Sequence, residues 1–167
     1  MTVYQYCTPE WLEESAKRYA VDPRFEREFA GISQKPLKLA FRVKAEPAWG
    51  IEPDLLFGVV VEHGKLLELC FYDEAGARKD ANFILSATPQ EWKKLLRKQT
   101  KFIGVVMLKK IIVEHGDFPM LLKLAPHGDA FVGALTLTPL QFPDEMSSDE
   151  LAQYKTHLKE FRAKLGV

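Results

Sequence analysis

Helical and extended periodicities alternate along the chain. In Thr8-Pro9-Glu10-Trp11, Thr8 can cap a helix, Pro9 suits its first position and Glu10 favours its positive end. Trp11, Leu12, Ser15, Ala16 and Tyr19 then share one face. Asp22-Pro23 opens a second short helix with Phe25 and Phe29 four apart, and Gly31 is suited to stop it. From Leu37 the period falls from about 3.6 to about 2. Leu37, Leu39, Phe41 and Val43 alternate with Lys38, Ala40, Arg42 and Lys44, which predicts a strand with one solvated face. Residues 55–62 and 66–72 form the next two strands around the turn Glu62-His63-Gly64-Lys65, where Gly64 supplies a positive φ. Leu67, Leu69 and Phe71 are expected to face one way. A polar loop over 73–80 and a fourth strand over 82–87 complete a predicted β-meander.

Thr88-Pro89-Gln90-Glu91 is a capping box, and Trp92, Leu95 and Leu96 give the helix it opens a buried face. Residues 102–108 are apolar throughout, so periodicity leaves strand and buried helix both open. Residues 111–114 read as a fifth short strand. Asp117 then caps a helix containing Met120, Leu121, Leu122 and Leu124, which Pro126 is expected to end, and Asp129 starts another with Phe131 and Leu135 on one side. In the tail, Ser147 and Glu150 form a cap, and Leu151, Tyr154, Leu158, Phe161 and Leu165 repeat at helical spacing. Such a stripe usually docks on its own domain; a dimer seam is the alternative. The sum is an α+β fold, a single domain with about five mainly antiparallel strands covered by helices. Residues 1–31 supply N-terminal helices, 35–140 the core and 144–167 a C-terminal amphipathic helix.

A length of 167 residues suits one domain, and 47% hydrophobic residues suffice for a core without metal or disulfides. Lys+Arg and Asp+Glu both total 23, so no global field attracts nucleic acid, and none is expected as a partner. The two cysteines, Cys7 and Cys70, suit a reduced, cytoplasmic protein. The N-terminus lacks the basic and apolar regions of a signal peptide. The longest uncharged stretch, residues 130–143, is too short and too polar for a spanning helix.

The search for chemistry is almost empty. Gly58 and Gly64-Lys65 are wrongly spaced for a phosphate loop, and Leu66 stands where that loop needs Ser or Thr. No dinucleotide, His-Glu-x-x-His, Cys-x-x-Cys or Gly-x-Ser-x-Gly motif occurs. Two echoes, Val61-Glu62-His63-Gly64 and Val113-Glu114-His115-Gly116, would offer metal ligands to an enzyme of unrecognised class if they met in space. The simpler reading is two strands ending in glycine-permitted turns. Neither the carboxylates Glu52, Asp54, Asp73 and Glu74 nor Cys70, read as an inert core thiol, has an activating neighbour in sequence. One charge cluster stands out: Lys93, Lys94, Arg97, Lys98, Lys101, Lys109 and Lys110 against Glu91 alone over residues 91–110. The simpler reading is a solvated helix face. The functional one is transient contact with an anionic headgroup or membrane, centred on Lys93, Lys94, Arg97, Lys98 and Lys101.

The order of segments from Lys38 to Leu137 resembles the sterol carrier protein type 2 family. The resemblance is carried by Leu39-Ala40-Phe41-Arg42-Val43-Lys44, by Ala81-Asn82-Phe83-Ile84-Leu85-Ser86-Ala87-Thr88 leading into a capped helix, by residues 92–96, by Met107 to Gly116-Asp117, and by residues 120–124. It covers about 100 of 167 residues. Lys109-Lys110 departs from the glycine often found before the family's fifth strand, and the N-terminal helices and the tail exceed its minimal domain. The resemblance implies helices enclosing an apolar tunnel. It also implies non-catalytic binding or transfer of a sterol, fatty acid or fatty acyl-CoA, without a cofactor, in a monomer or dimer. The ligand is then expected against Phe57, Phe102, Ile103, Val106, Met107, Met120, Leu121, Leu122, Phe131 and Leu135, with Met107 and Met120 as adaptable walls. Dense packing of the same side chains is the competing reading.

Overall fold

The computed structural model describes residues 2–32 and 35–167. The alternating apolar residues of β2 (Leu37–Val43) place it at the centre of a five-stranded sheet. Its companions are β3 (Leu55–Glu62), β4 (Lys65–Tyr72), β5 (Phe83–Ala87) and β6 (Ile112–His115), in the order β4-β3-β2-β5-β6. Three of the four pairings are antiparallel and β2–β5 is parallel, giving the expected mainly antiparallel sheet in an α+β chain.

The meander holds through β2, β3 and β4 but does not extend to β5. The segment after β4 is not a plain loop but carries α3 (Glu74–Arg78), capped by Asp73 Oδ1 accepting from the Gly76 amide. This helix crosses the outer sheet face, seating Ala77 against Ala40, Leu56 and Ile84, and so delivers β5 beside β2 instead of β4. The β3–β4 hairpin turns through His63 and Gly64, both at positive φ. Tyr19 closes it by donating its hydroxyl to the Gly64 carbonyl at 2.6 Å. A register shift between Val60 and Val61 corrects a second expectation. Leu66 and Leu69 pair with Val61 and Val59 on the inner face, whereas Leu67 turns outward and is 51% exposed.

The helices begin where their caps predict. Thr8 caps α1 (Pro9–Val21), Asp22 caps α2 (Pro23–Phe29), and Thr88 caps α4 (Pro89–Leu96). Residues 102–107, ambiguous by periodicity, form the helix α5 (Phe102–Met107). The next helix, α6 (Phe118–Leu135), runs unbroken through Pro126, and Asp117 makes no side-chain cap. The carbonyl left unbonded by the proline belongs to Leu122, which is itself exposed, while Leu121, Ala125, Val132 and Leu135 hold the helix on the core.

Two-residue strands β1 (Tyr4–Gln5) and β7 (Leu140–Gln141) pair in parallel and tie the N-terminal segment to the end of the core. The last helix, α7 (Ser148–Leu165), opens on the reciprocal Ser147–Glu150 cap. Its Tyr154, Leu158 and Phe161 are buried in the chain's own core. Tyr154 donates its hydroxyl to the Tyr6 carbonyl, and Arg162 donates to the carbonyls of Pro53 and Asp54 at 2.7 and 2.8 Å. The stripe read as a candidate dimer seam therefore packs within the chain except at Leu165, which is 51% exposed. Among the described residues, no helix is long and apolar enough to cross a membrane.

Candidate functional site

The inner sheet face presents Leu37, Leu39 and Phe41 from β2, Phe57, Val59 and Val61 from β3, and Leu85 from β5. Above them lie Trp92, Leu95 and Leu96 of α4, Phe102 of α5, and Leu121, Leu124, Phe131, Val132 and Leu135 of α6. The two layers do not close on each other. They leave an apolar cavity of about 100 Å³.

Aromatic rings frame this space. Phe131 stacks on Phe41 at 5.7 Å between centroids, and Trp92 meets Phe41 edge-on at 5.8 Å. Polar groups of the framing residues are tied off elsewhere. Trp92 donates its indole N–H to the Arg42 carbonyl at 3.0 Å, and Trp11, which packs edge-on against Phe57, donates to the Leu135 carbonyl at 2.9 Å. Two polar side chains remain in the wall. Tyr6 is fully buried, and its hydroxyl has only the weakly polar Cys7 thiol beside it. His127, whose side chain is 33% exposed, brings the wall to the surface between α2 and α6, with Nδ1 2.9 Å from Oε1 of Glu28.

The fold has structural counterparts. The chain superposes on the crystal structure of sterol carrier protein 2 with a TM-score of 0.67, over 78% of this chain and 97% of that one, at 14% identity. The chain has the sterol carrier protein 2 fold. A second match is the solution structure of a conserved hypothetical protein from Thermus thermophilus, suggested there to be a sterol carrier protein. It has a TM-score of 0.63 and 15% identity, over 79% and 89% of the two chains. No family model and no curated protein matches the sequence.

Within the sterol carrier protein 2 fold, the ten residues expected at a ligand fall into three groups. Phe57, Phe102, Leu121, Phe131 and Leu135 line the cavity. Val106 and Met120 pack into the core without reaching it. Ile103, Met107 and Leu122 point outward at 41%, 60% and 39% exposure, so Met107 is no wall of this cavity. In a short helix wedged between core and solvent, neighbours such as Phe102 and Ile103 must take opposite sides. Leu37, Leu39, Phe41, Val61, Leu85 and the α4 residues were not singled out. The strand alternation gave their side of the sheet but not the distance to the helices above.

The other candidate chemistry disperses. The two Glu-His-Gly turns sit at opposite edges of the sheet, since β3 and β4 form one edge and β6 the other. Glu114 is engaged by Arg42, which also pairs with Glu74 at 2.7 Å and Asp54 at 3.6 Å on the outer face. No group of three or more His, Cys, Asp or Glu able to hold a metal assembles among the described residues. Burial pushes the Cys7 thiol up to about 12. Cys70, expected in the core, lies exposed on the outer side of β4 because its register places it opposite Gly58. Its pKa is also raised, first by desolvation and then by the Glu68 carboxylate, so neither thiol is activated.

The basic cluster divides too. Lys93 bonds Asp144 at 2.9 Å, Arg97 bonds Glu145 at 2.6 Å, and Lys94 pairs with Glu91 at 3.4 Å. These three fasten α4 to the segment before α7 or to itself. Lys98 and Lys101 project without a side-chain partner among the described residues.

Proposed function

We propose that this protein binds and carries an apolar small molecule, a fatty acid, fatty acyl-CoA or sterol-like lipid, in the cavity between the sheet and helices α4 to α6. The observation that carries this reading is a hollow gap, lined almost entirely by apolar side chains, where a folded core is normally packed tight. The fold shared with sterol carrier protein 2 supports it. Binding is the whole of the chemistry in this reading. The reading needs no nucleophile, acid–base pair or cofactor, because the role it gives the site is to remove hydrocarbon from water. The unpaired cysteines suit work in a reducing, cytoplasmic setting.

Magnitudes set the terms. Burying about 15 methylenes yields roughly 12 kcal/mol. That offsets the several kcal/mol that association costs in lost freedom and leaves useful affinity. Ligand pockets usually measure about 300–1,000 Å³, several times the about 100 Å³ present. Ligand admission therefore requires α5 and α6 to spread from the sheet, with the ligand's polar end directed to His127 at the surface.

The test combines displacement of a fluorescent fatty acid with native mass spectrometry of delipidated protein given fatty acid, acyl-CoA or sterol. A one-to-one complex with saturable displacement is expected. Absence of saturable binding in both assays would overturn the reading.

A further inference from the structure

We propose that the outward face of α5, the turn after it and the first turns of α6 form a docking surface for an anionic lipid bilayer. Ile103 and Met107 lie four apart on α5, and Phe118 and Leu122 four apart on α6, so each pair shares a helix face. All four are exposed, as is Leu108 at 72% in the turn after α5. The two helices pack against each other, with Phe102 pressed on Gly128.

Charge identifies the occupant. Lys98, Lys101, Lys109, Lys110 and Lys123 lie in or next to the same segments, all exposed and none with a side-chain partner among the described residues. Acidic residues within 98–123 number two, Glu114 and Asp117, and Glu114 is paired with Arg42 on the outer face of the sheet. Exposed apolar side chains flanked by lysines complement a surface that is anionic at its headgroups and hydrocarbon beneath.

The position gives docking a consequence. Helices α5 and α6 are apolar on both sides: Phe102 and Leu121 face the cavity while their neighbours Ile103 and Leu122 face out. Insertion of the outer side chains draws on the same two helices whose separation enlarges the cavity. That consequence rests on the ligand-binding reading above; the docking itself does not.

Co-sedimentation with vesicles of phosphatidylcholine, alone or mixed with phosphatidylserine, tests the proposal. Binding is expected to be about tenfold or more stronger on the anionic vesicles and to weaken at high salt. A charge-reversed Lys109→Glu/Lys110→Glu protein and a Met107→Ser/Leu108→Ser protein are each expected to lose it while displacing fluorescent fatty acid as before. Equal binding to both vesicle types, no binding, or variants that bind as the parent does would overturn it. Light scattering that shows a dimer dissolved by Met107→Ser/Leu108→Ser, without vesicle binding, would instead assign the patch to a second copy. Failed displacement with intact vesicle binding would remove the cavity reading and leave the docking surface standing.

Discussion

A Cβ placed on Gly128 would lie 2.8 Å from Cγ of Phe102. A side chain there must displace Phe102, so this contact limits how closely α5 and α6 approach over the cavity. Gly133, on the same helix, would place its Cβ in open space. Alanine at Gly133 is expected to stabilise the protein by up to about 1 kcal/mol through helix propensity. At Gly128 the same gain is opposed by about 1–3 kcal/mol of overpacking, so the two variants should differ in urea denaturation by that amount. Equal stabilities would mean that Phe102 yields freely.

Leu121→Trp probes whether the hollow is usable space. The larger ring is expected to enter the cavity, abolish fatty-acid displacement and change stability by less than about 1 kcal/mol. A loss of about 1–3 kcal/mol, typical of overpacking, with ligand binding retained would show that the space is not there.

Arg42 is buried at the centre of the outer face, facing Glu74, Glu114 and Asp54. Removing one partner of a buried pair costs about 3–5 kcal/mol. Water reaching Glu74 and Glu114 should reduce this for Arg42→Met to about 2 kcal/mol. Ligand affinity should be unchanged, since the cavity lies across the sheet. A variant as stable as the parent would show that the network contributes nothing.

Acid should loosen the join between α4 and the segment before α7. Partial burial raises the pKa of Glu145, but the Phe142 amide, Arg97 and Lys93 outweigh it and hold the carboxyl below its ordinary value. A depressed folded pKa contributes stability that is complete above the unfolded value of about 4.3 and fades as pH falls through the folded one. Glu145→Gln is therefore expected to cost about 0.5–1 kcal/mol at neutral pH. The gap should close in strong acid, and one that persists there would contradict this assignment.

Much of the fold could be read from caps and alternation. Thr8, Thr88 and the Ser147–Glu150 pair open helices where local chemistry says they must, and Leu37 to Val43 show which side of the sheet is buried. Where local pattern was silent, tertiary contacts decided. The β5 strand joins β2 because α3 packs on the outer face, and Leu67 turns out because of a one-residue register shift. The α6 helix passes Pro126 because its buried face outweighs one missing hydrogen bond. The site was half legible for the same reason. Phe102 and Ile103 are equally apolar, and only the neighbouring layer determines which faces the cavity.

A methyl-resolved NMR titration with a saturated fatty acid tests the central claim most directly. Methyl groups of Val59, Leu85, Leu121 and Val132, all in the cavity wall, are expected to shift together and saturate with one Kd at one equivalent. Leu56 and Ile84, on the opposite sheet face, should stay nearly still. Absence of saturating shifts, or shifts confined to the outward Ile103 and Leu122, would contradict the account.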